Sequence, residues 1–328
     1  MPSYIQRPSW YLPDSAATGE DLFLNRRDFL KSMGIGGMIA GGLSVPSFAQ
    51  GPTPTADLAL PDFTRNPKFA DVGRAITDEH VGTTFNNFWE FTKAKNVSQY
   101  TENFKLDPYT FSIDGLVEKP LTLSLEDIER LGYEERVYRF RCVEAWSMTV
   151  PWLGVPLAKL VALAKPLSSA KYVAFKSFFD PEQAPEQRVK SKYIWPYYEG
   201  LRMDEAMNEM GFVATGAYGK RLLPQSGTPL RIVTPWKYGY KGPKSVVRMT
   251  FVDKQPPTFW SDAVKSGEYP FYSNVDPEVP HPRWPQAEEK FITDKANVAD
   301  VEIIPTLRYN GYEEQVGHLY KGMPRKLI

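Results

Sequence analysis

The sequence predicts a mixed α+β fold with heavy looping. Three observations lead there. Apolar and polar residues alternate over stretches of only a few residues, helical spacing of apolar residues is equally brief, and 29 prolines interrupt anything longer. No internal repeat or coiled-coil heptad replaces that pattern.

The elements follow in chain order. From Gln50 to about Glu79 the chain is rich in Pro, Thr and Asp without a sustained apolar period, which predicts an arm (50–80) lying over the surface of a packed domain (81–328). Tyr109, Phe111 and Ile113 alternate with Thr110, Ser112 and Asp114, as in a half-buried strand. Ser124 followed by Asp127 caps a short helix carrying Leu125 and Ile128, which Gly132 ends. Residues 136–143 alternate again: Tyr138, Phe140 and Cys142 share one face, Val137, Arg139, Arg141 and Val143 the other, and Cys142 ends the strand. Pro156 suits the start of a helix with Leu157, Leu160, Val161 and Ala164 on one side, running to Pro166. Short strands are expected at 172–175, 230–233 and 245–252, and a brief helical turn at 204–208, with Pro- and aromatic-rich loops at the end.

Composition narrows the function. A hydrophobic fraction of 42% with 14% aromatics fills a sizeable core, and 39 basic residues balance 39 acidic ones. That neutrality removes the basic field needed for nucleic acid or an anionic membrane surface. A single cysteine, Cys142, allows neither an internal disulfide nor a multi-cysteine metal cluster, and His80, His281 and His318 are too few and scattered for a histidine-built metal site. No H-E-x-x-H, G-x-S-x-G or P-loop pattern occurs, and Gly34-Ile35-Gly36 lacks the third glycine of a dinucleotide fingerprint because position 39 is Ile.

The N-terminus reads as an address. Asn25 to Lys31, N-R-R-D-F-L-K, precedes an uncharged, glycine-rich apolar run at 32–45 and then Ser47-Phe48-Ala49, small residues at the positions a signal peptidase reads. The run is shorter than the roughly 20 residues a membrane-spanning helix needs. Residues 1–49 resemble a twin-arginine signal, with Arg26, Arg27, Phe29, Leu30 and Lys31 carrying the likeness. That route exports proteins already folded, typically around a cofactor, so a cofactor and a periplasmic location are expected.

Three stretches could carry chemistry. The first is R-F-R-C-V-E-A-W-S-M-T-V-P-W, residues 139–152, around Cys142. Its thiol has three open readings: a buried small hydrophobe, a nucleophile if a histidine activates it, or a soft metal ligand whose remaining coordination comes from an organic cofactor. Arg141 and Arg139 should face away from it. The second stretch is Arg231 to Ser245, where Lys237, Lys241 and Lys244 recur around Gly239 and Gly242, a spacing that could grip a phosphate or form a solvated basic turn. The third is Thr84 to Glu90, where Asn86 and Asn87 sit among aromatics and could bond a heterocycle edge.

Several long blocks in one order now mark a resemblance: N-N-F-W-E-F at 86–91, R-C-V-E-A-W-S-M at 141–148, A-K-Y-V-A-F at 170–175, P-W-K-Y-G-Y-K-G at 235–242 and H-P-R-W at 281–284. From Asn86 onward the chain resembles the catalytic subunits of the bacterial periplasmic protein-methionine-sulfoxide reductases, molybdopterin enzymes with the sulfite-oxidase molybdenum-domain fold. The resemblance implies Mo-molybdopterin, its metal held by the Cys142 thiolate and the cofactor's dithiolene sulfurs. Carried over position by position, Asn86, Trp89, Glu90, Ser177, Ser226, Arg231, Gly242, Pro243 and Lys244 would hold the pterin and its phosphate. The family has threonine at the place of Ser177 and asparagine at that of Ser226, and Pro243 can offer only packing or its carbonyl.

The implied reaction is reduction of methionine sulfoxide in oxidised periplasmic proteins, with electrons from a haem-containing membrane subunit; this chain shows no span of its own. A sulfite-oxidase-like enzyme acting on a small oxyanion is the nearest alternative. It would need convergent arginines at the metal, whereas Val143, Ala145, Trp146, Met148 and Trp152 suit a neutral substrate. A non-catalytic binding protein with an inert cysteine is the alternative from another class.

Overall fold

The computed structural model describes residues 58–189, 193–294 and 301–325. The expected signal peptide (1–49) and residues 50–57 of the arm lie outside them.

Among the described residues twelve strands form two mixed sheets. In the first, β1 (Phe111–Gly115), β2 (Leu121–Leu123), β5 (Tyr172–Ser177), β6 (Tyr198–Arg202) and β10 (Val246–Val252) lie in the order β2-β1-β10-β5-β6. Only the β1–β10 pair in that sheet is parallel. The second sheet runs β12 (Glu302–Pro305), β11 (Glu288–Phe291), β4 (Trp146–Pro156), β7 (Phe212–Ala217), β8 (Lys220–Arg221), with β3 (Glu134–Arg141) also on β4 and β9 (Arg231–Val233) on β7. Its β11–β4 pair is parallel. The mixed, loop-rich α+β architecture is the one the sequence predicts.

Local chemistry explains the elements. The Ser124 side chain accepts from the Asp127 amide while Asp127 reaches back to the Ser124 amide, a reciprocal cap that starts the helix Leu125–Glu129. The helix Leu157–Ala164 buries Leu157, Leu160, Val161 and Ala164 and ends where Lys165 turns left-handed before Pro166. Those side chains join Phe111, Ile113, Val173, Phe175, Met249 and Phe251 in one core. A second core gathers Tyr138, Met148, Trp152, Phe212 and Trp236, and Phe88, Phe91, Phe104 and Phe178 form a third cluster.

Two features differ from the sequence expectation. The strand β4 was not among those expected, although Trp146, Met148 and Val150 alternate with Ser147 and Thr149 over its first half; it is buried over all but its last residue. The arm is stitched into the second sheet: Asn66 donates to the Glu135 carbonyl (2.9 Å), Glu135 to that of Thr64 (3.0 Å), and buried Thr77 bonds both Thr149 and Ile292. The open edge of β3 supplies backbone groups that need partners, and the arm satisfies them.

Candidate active site

The strands β3 and β4 form a hairpin whose last ladder pair is Arg141–Ser147. Beyond it Cys142 N–H donates to the Trp146 carbonyl (2.9 Å), leaving a three-residue connection, Val143 to Ala145. Ala145 closes that turn at φ 67°, the left-handed conformation such hairpins need at this place. Cys142 is therefore the first residue of the turn, one past the strand end, held at the tip of a rigid ribbon. Arg141, wholly buried, ties the ribbon down through Glu289 (3.0 Å), Gln286 (2.8 Å), Thr306 (3.1 Å) and the Cys142 carbonyl. Its guanidinium, like that of Arg139 on the Val72 carbonyl, serves backbone and carboxylate, not the thiol.

The thiol opens into a cavity of about 330 Å³. Of the expected site residues, Asn86, Trp89, Glu90, Cys142, Arg231, Gly242, Pro243 and Lys244 line it. Ser177 and Ser226 do not; both are buried, Ser177 Oγ has no partner, and the Ser226 carbonyl accepts from Arg231 (3.3 Å). Pro243 has no N–H to offer, and its carbonyl accepts from Ile232 (3.0 Å). At Gly242 a Cβ would meet the Ile232 carbonyl oxygen at 2.6 Å, so the loop can follow this close path only with glycine there.

The lysine-rich loop divides by role. Lys237 is buried against Glu205 (2.6 Å) and Asn274 (2.9 Å), and Lys241 is buried against Glu199. Both are buried ion pairs, so neither the phosphate grip nor the solvated basic turn describes these two lysines. Lys244 alone reaches the cavity, donating to Asn86 Oδ1 (2.9 Å) and to the carbonyls of Asn87 (2.7 Å) and Gln225 (2.9 Å). No carboxylate is bonded to it or to Arg231 among the described residues. Burial holds the Lys244 ammonium well below its ordinary pKa, with Arg231 adding repulsion, and pushes Arg231 down to about 10. Arg231 Nε is left without a partner. Two desolvated cations facing a cavity are costly unless an anion arrives, which is the signature of a phosphate site.

Around the thiol the Glu144 amide donates to Sγ (3.4 Å), as does Asn87 Nδ2 (3.7 Å), and Glu144 Oε2 stands 3.8 Å away. That carboxylate also accepts from Trp146 Nε1 (3.0 Å), Asn87 (3.2 Å) and Lys95. Burial, then the Glu144 charge, raises the Cys142 thiol to about 12. Left to itself the group is a protonated thiol. None of the cavity-lining residues is a histidine, so the activated-nucleophile reading has no base. A bound metal cation reverses the balance and takes the group as thiolate. Among the described residues no three His, Cys, Asp or Glu side chains gather to hold a metal, so a metal at Cys142 draws its other ligands from an organic group.

Sequence reasoning missed Lys95, Trp260, Tyr193 and the role of Glu144. Lys95 and Glu144 lie 49 residues apart, and only the fold joins them. Glu144 lay inside a singled-out motif, two residues from the cysteine, and that proximity was the available signal.

The residues thus fit a phosphate-bearing organic metal cofactor: one soft ligand, two buried cations bonded to no carboxylate among the described residues, amides and a close-approach glycine. Comparison with known proteins agrees. The sequence profile described as oxidoreductase molybdopterin binding domain matches residues 98–260. The chain carries a molybdopterin-binding oxidoreductase domain. Its mixed, loop-rich fold is consistent with a sulfite-oxidase-type molybdenum-binding domain, and its cofactor is Mo-molybdopterin. Among solved structures it is similar to the sulfane dehydrogenase SoxCD from Paracoccus pantotrophus, at 23% identity and a TM-score of 0.39 over 46% of this chain. The match spans 40% of that chain.

Proposed function

We propose that this protein reduces methionine sulfoxide residues of periplasmic proteins to methionine, after export in folded form by the twin-arginine route, with electrons from a haem-containing membrane subunit. Arg26-Arg27 and the short apolar run after them support the export step. No described helix is long and apolar enough to cross a membrane, which is compatible with an electron donor on a separate subunit.

One observation carries the choice of substrate. Three cations line the cavity, Arg231, Lys244 and Arg283. The first two are assigned to the cofactor phosphate, and Arg283 is committed to Glu268 (2.6 Å). Among the described residues no further cation lines the cavity for a doubly charged oxyanion, and Glu144 beside the thiol would repel one. The remaining lining, including Phe140, Trp146, Trp260 and Trp284, suits a neutral side chain with a methyl group.

In this reading Cys142 ligates the metal, while Asn86, Trp89, Glu90, Arg231, Gly242, Pro243 and Lys244 hold the pterin and its phosphate. Ser177 and Ser226 support that site from outside the lining. When bound, the cofactor supplies a metal that changes oxidation state by two and exchanges one oxygen atom. Reduction of a sulfoxide consumes two electrons and two protons and yields thioether and water. Burial lifts the Glu90 carboxyl to about 7, so a proton can reside there near neutrality, and the Lys244 charge tempers that rise. Asn87 and the Glu144 amide point N–H groups at Sγ and orient the thiolate.

The test is turnover by the metal-loaded protein with a reduced artificial donor. Loss of sulfoxide from an oxidised protein substrate is expected. Oxidation of sulfite with no sulfoxide turnover would instead establish the oxyanion reading, and a folded protein purified without molybdenum from cells that make the cofactor would establish the non-catalytic one.

A further inference from the structure

The loop before β11 reaches back over the site. Trp284 Nε1 donates to the Val143 carbonyl (2.8 Å), and Gln286 Nε2 donates to the same oxygen (2.8 Å). Two donors from one loop thus converge on the residue that follows Cys142. The half-buried indole lines the cavity.

Its position is fixed from several directions. The His281 ring stacks on it with centroids 3.7 Å apart and planes 14° apart, and the Arg283 guanidinium lies 4.7 Å from the ring centroid. Glu268 Oε1 joins the two flanking residues, 2.7 Å from His281 Nε2 and 2.6 Å from Arg283. At the start of the loop the two Asp276 carboxylate oxygens accept from Nε and Nη2 of Arg325, each at 2.9 Å. A ring with its only donor spent and its neighbours locked presents apolar carbon to whatever enters, at little entropic cost.

We propose that Trp284 is the specificity-determining residue of the site: it packs against the side-chain methylenes of a methionine sulfoxide presented on a polypeptide, groups that dimethyl sulfoxide lacks, and so favours a peptide-borne sulfoxide over a small one. The inference rests on the sulfoxide-reductase reading and deepens it. A thioether or sulfoxide sulfur packs well against an aromatic ring, and a rigid ring beside the Cys142 turn orders a flexible side chain that dimethyl sulfoxide does not have.

The experiment compares Trp284→Ala and Trp284→Phe in the metal-loaded protein, on an oxidised methionine peptide and on dimethyl sulfoxide. For Trp284→Ala the peptide KM rises about tenfold with kcat and molybdenum content retained, and kcat/KM for dimethyl sulfoxide falls by less than about threefold. Trp284→Phe, which keeps a ring but loses the bond to Val143, stays within about threefold of wild type on both. Calorimetric titration with the reduced peptide gives a second readout: binding weakens about tenfold in Trp284→Ala. Equal losses on the two substrates, an unchanged peptide KM, or a Phe variant as impaired as the Ala variant would each overturn the proposal. If wild type reduces neither sulfoxide the functional reading fails, and the peptide titration then decides the role of Trp284 alone.

Discussion

Lys241 offers the sharpest test of how the loop between β9 and β10 is built. Its ammonium is buried with the Glu199 carboxylate on β6 and also bonds the Gly200 carbonyl (3.0 Å). Lys241→Met keeps the length of the side chain but strands that carboxylate. Breaking one side of a buried pair costs about 3–5 kcal/mol, which for a domain of this size corresponds to roughly 10 °C in Tm. Burial already holds the Glu199 carboxyl above its ordinary range, and Lys241 is the chief influence against that. Without the lysine the folded-state pKa rises further. A carboxyl whose folded pKa is raised favours folding below its unfolded value and loses that contribution as pH climbs through the folded one. The deficit of the variant is therefore larger at about pH 8 than at about pH 5. Replacing both partners, Lys241→Met with Glu199→Met, recovers most of the loss. Guanidinium denaturation of the cofactor-free protein at the two pH values measures all three. A Lys241→Met variant as stable as wild type at the higher pH would refute the reasoning and return this lysine to the phosphate.

Lys244→Met is expected to act in the opposite sense: it strands no bonded carboxylate, so it loses less stability than Lys241→Met, while molybdenum per purified chain drops about tenfold by elemental analysis. Glu90→Gln removes a carboxyl that burial lifts to about 7, a rise from 4.5 that corresponds to about 3 kcal/mol. Since a raised carboxyl pKa favours folding at low pH and opposes it as pH passes the folded value, the cofactor-free Gln variant gains on wild type between about pH 5 and pH 8. Parallel denaturation curves at all pH values would contradict this. Cys142→Ser keeps the fold, because the Glu144 amide and Asn87 can donate to a hydroxyl as they do to sulfur, but turnover is lost and X-ray absorption shows one sulfur fewer at the metal. Full activity in that variant would remove the thiol from the site.

What the sequence disclosed was local. The cap at Ser124, the helix after Pro156 and the alternation at Phe111 and Ile113 depend on neighbours within a few residues, and the structure has each where the pattern puts it. The strand β4 was legible only in its first half, where Trp146, Met148 and Val150 alternate with Ser147 and Thr149; Pro151 and Pro156 within it read as punctuation, and they sit just before the start and at the end of its pairing with β7. Ion-pair partners were hidden for a different reason. Lys237, Lys241 and Lys244 are equivalent by spacing, yet Glu205 and Glu199, 32 and 42 residues upstream, claim the first two and leave the third to the cavity.

The same distinction runs through the site. The motif around Cys142 showed which atom could bind a metal, since the type of a single side chain fixes that chemistry. Which groups surround the atom is a long-range matter: Asn87 arrives from 55 residues before the cysteine, and Trp284 is bonded to Val143 across 141 residues. Arg283 illustrates the consequence for substrate choice. By sequence it is a cation beside a tryptophan and would count toward an oxyanion pocket; in the fold Glu268 has already claimed it. An argument for substrate charge drawn from residue types alone counts such an arginine as available, whereas the fold shows which of the cations lining the cavity already carries a carboxylate partner.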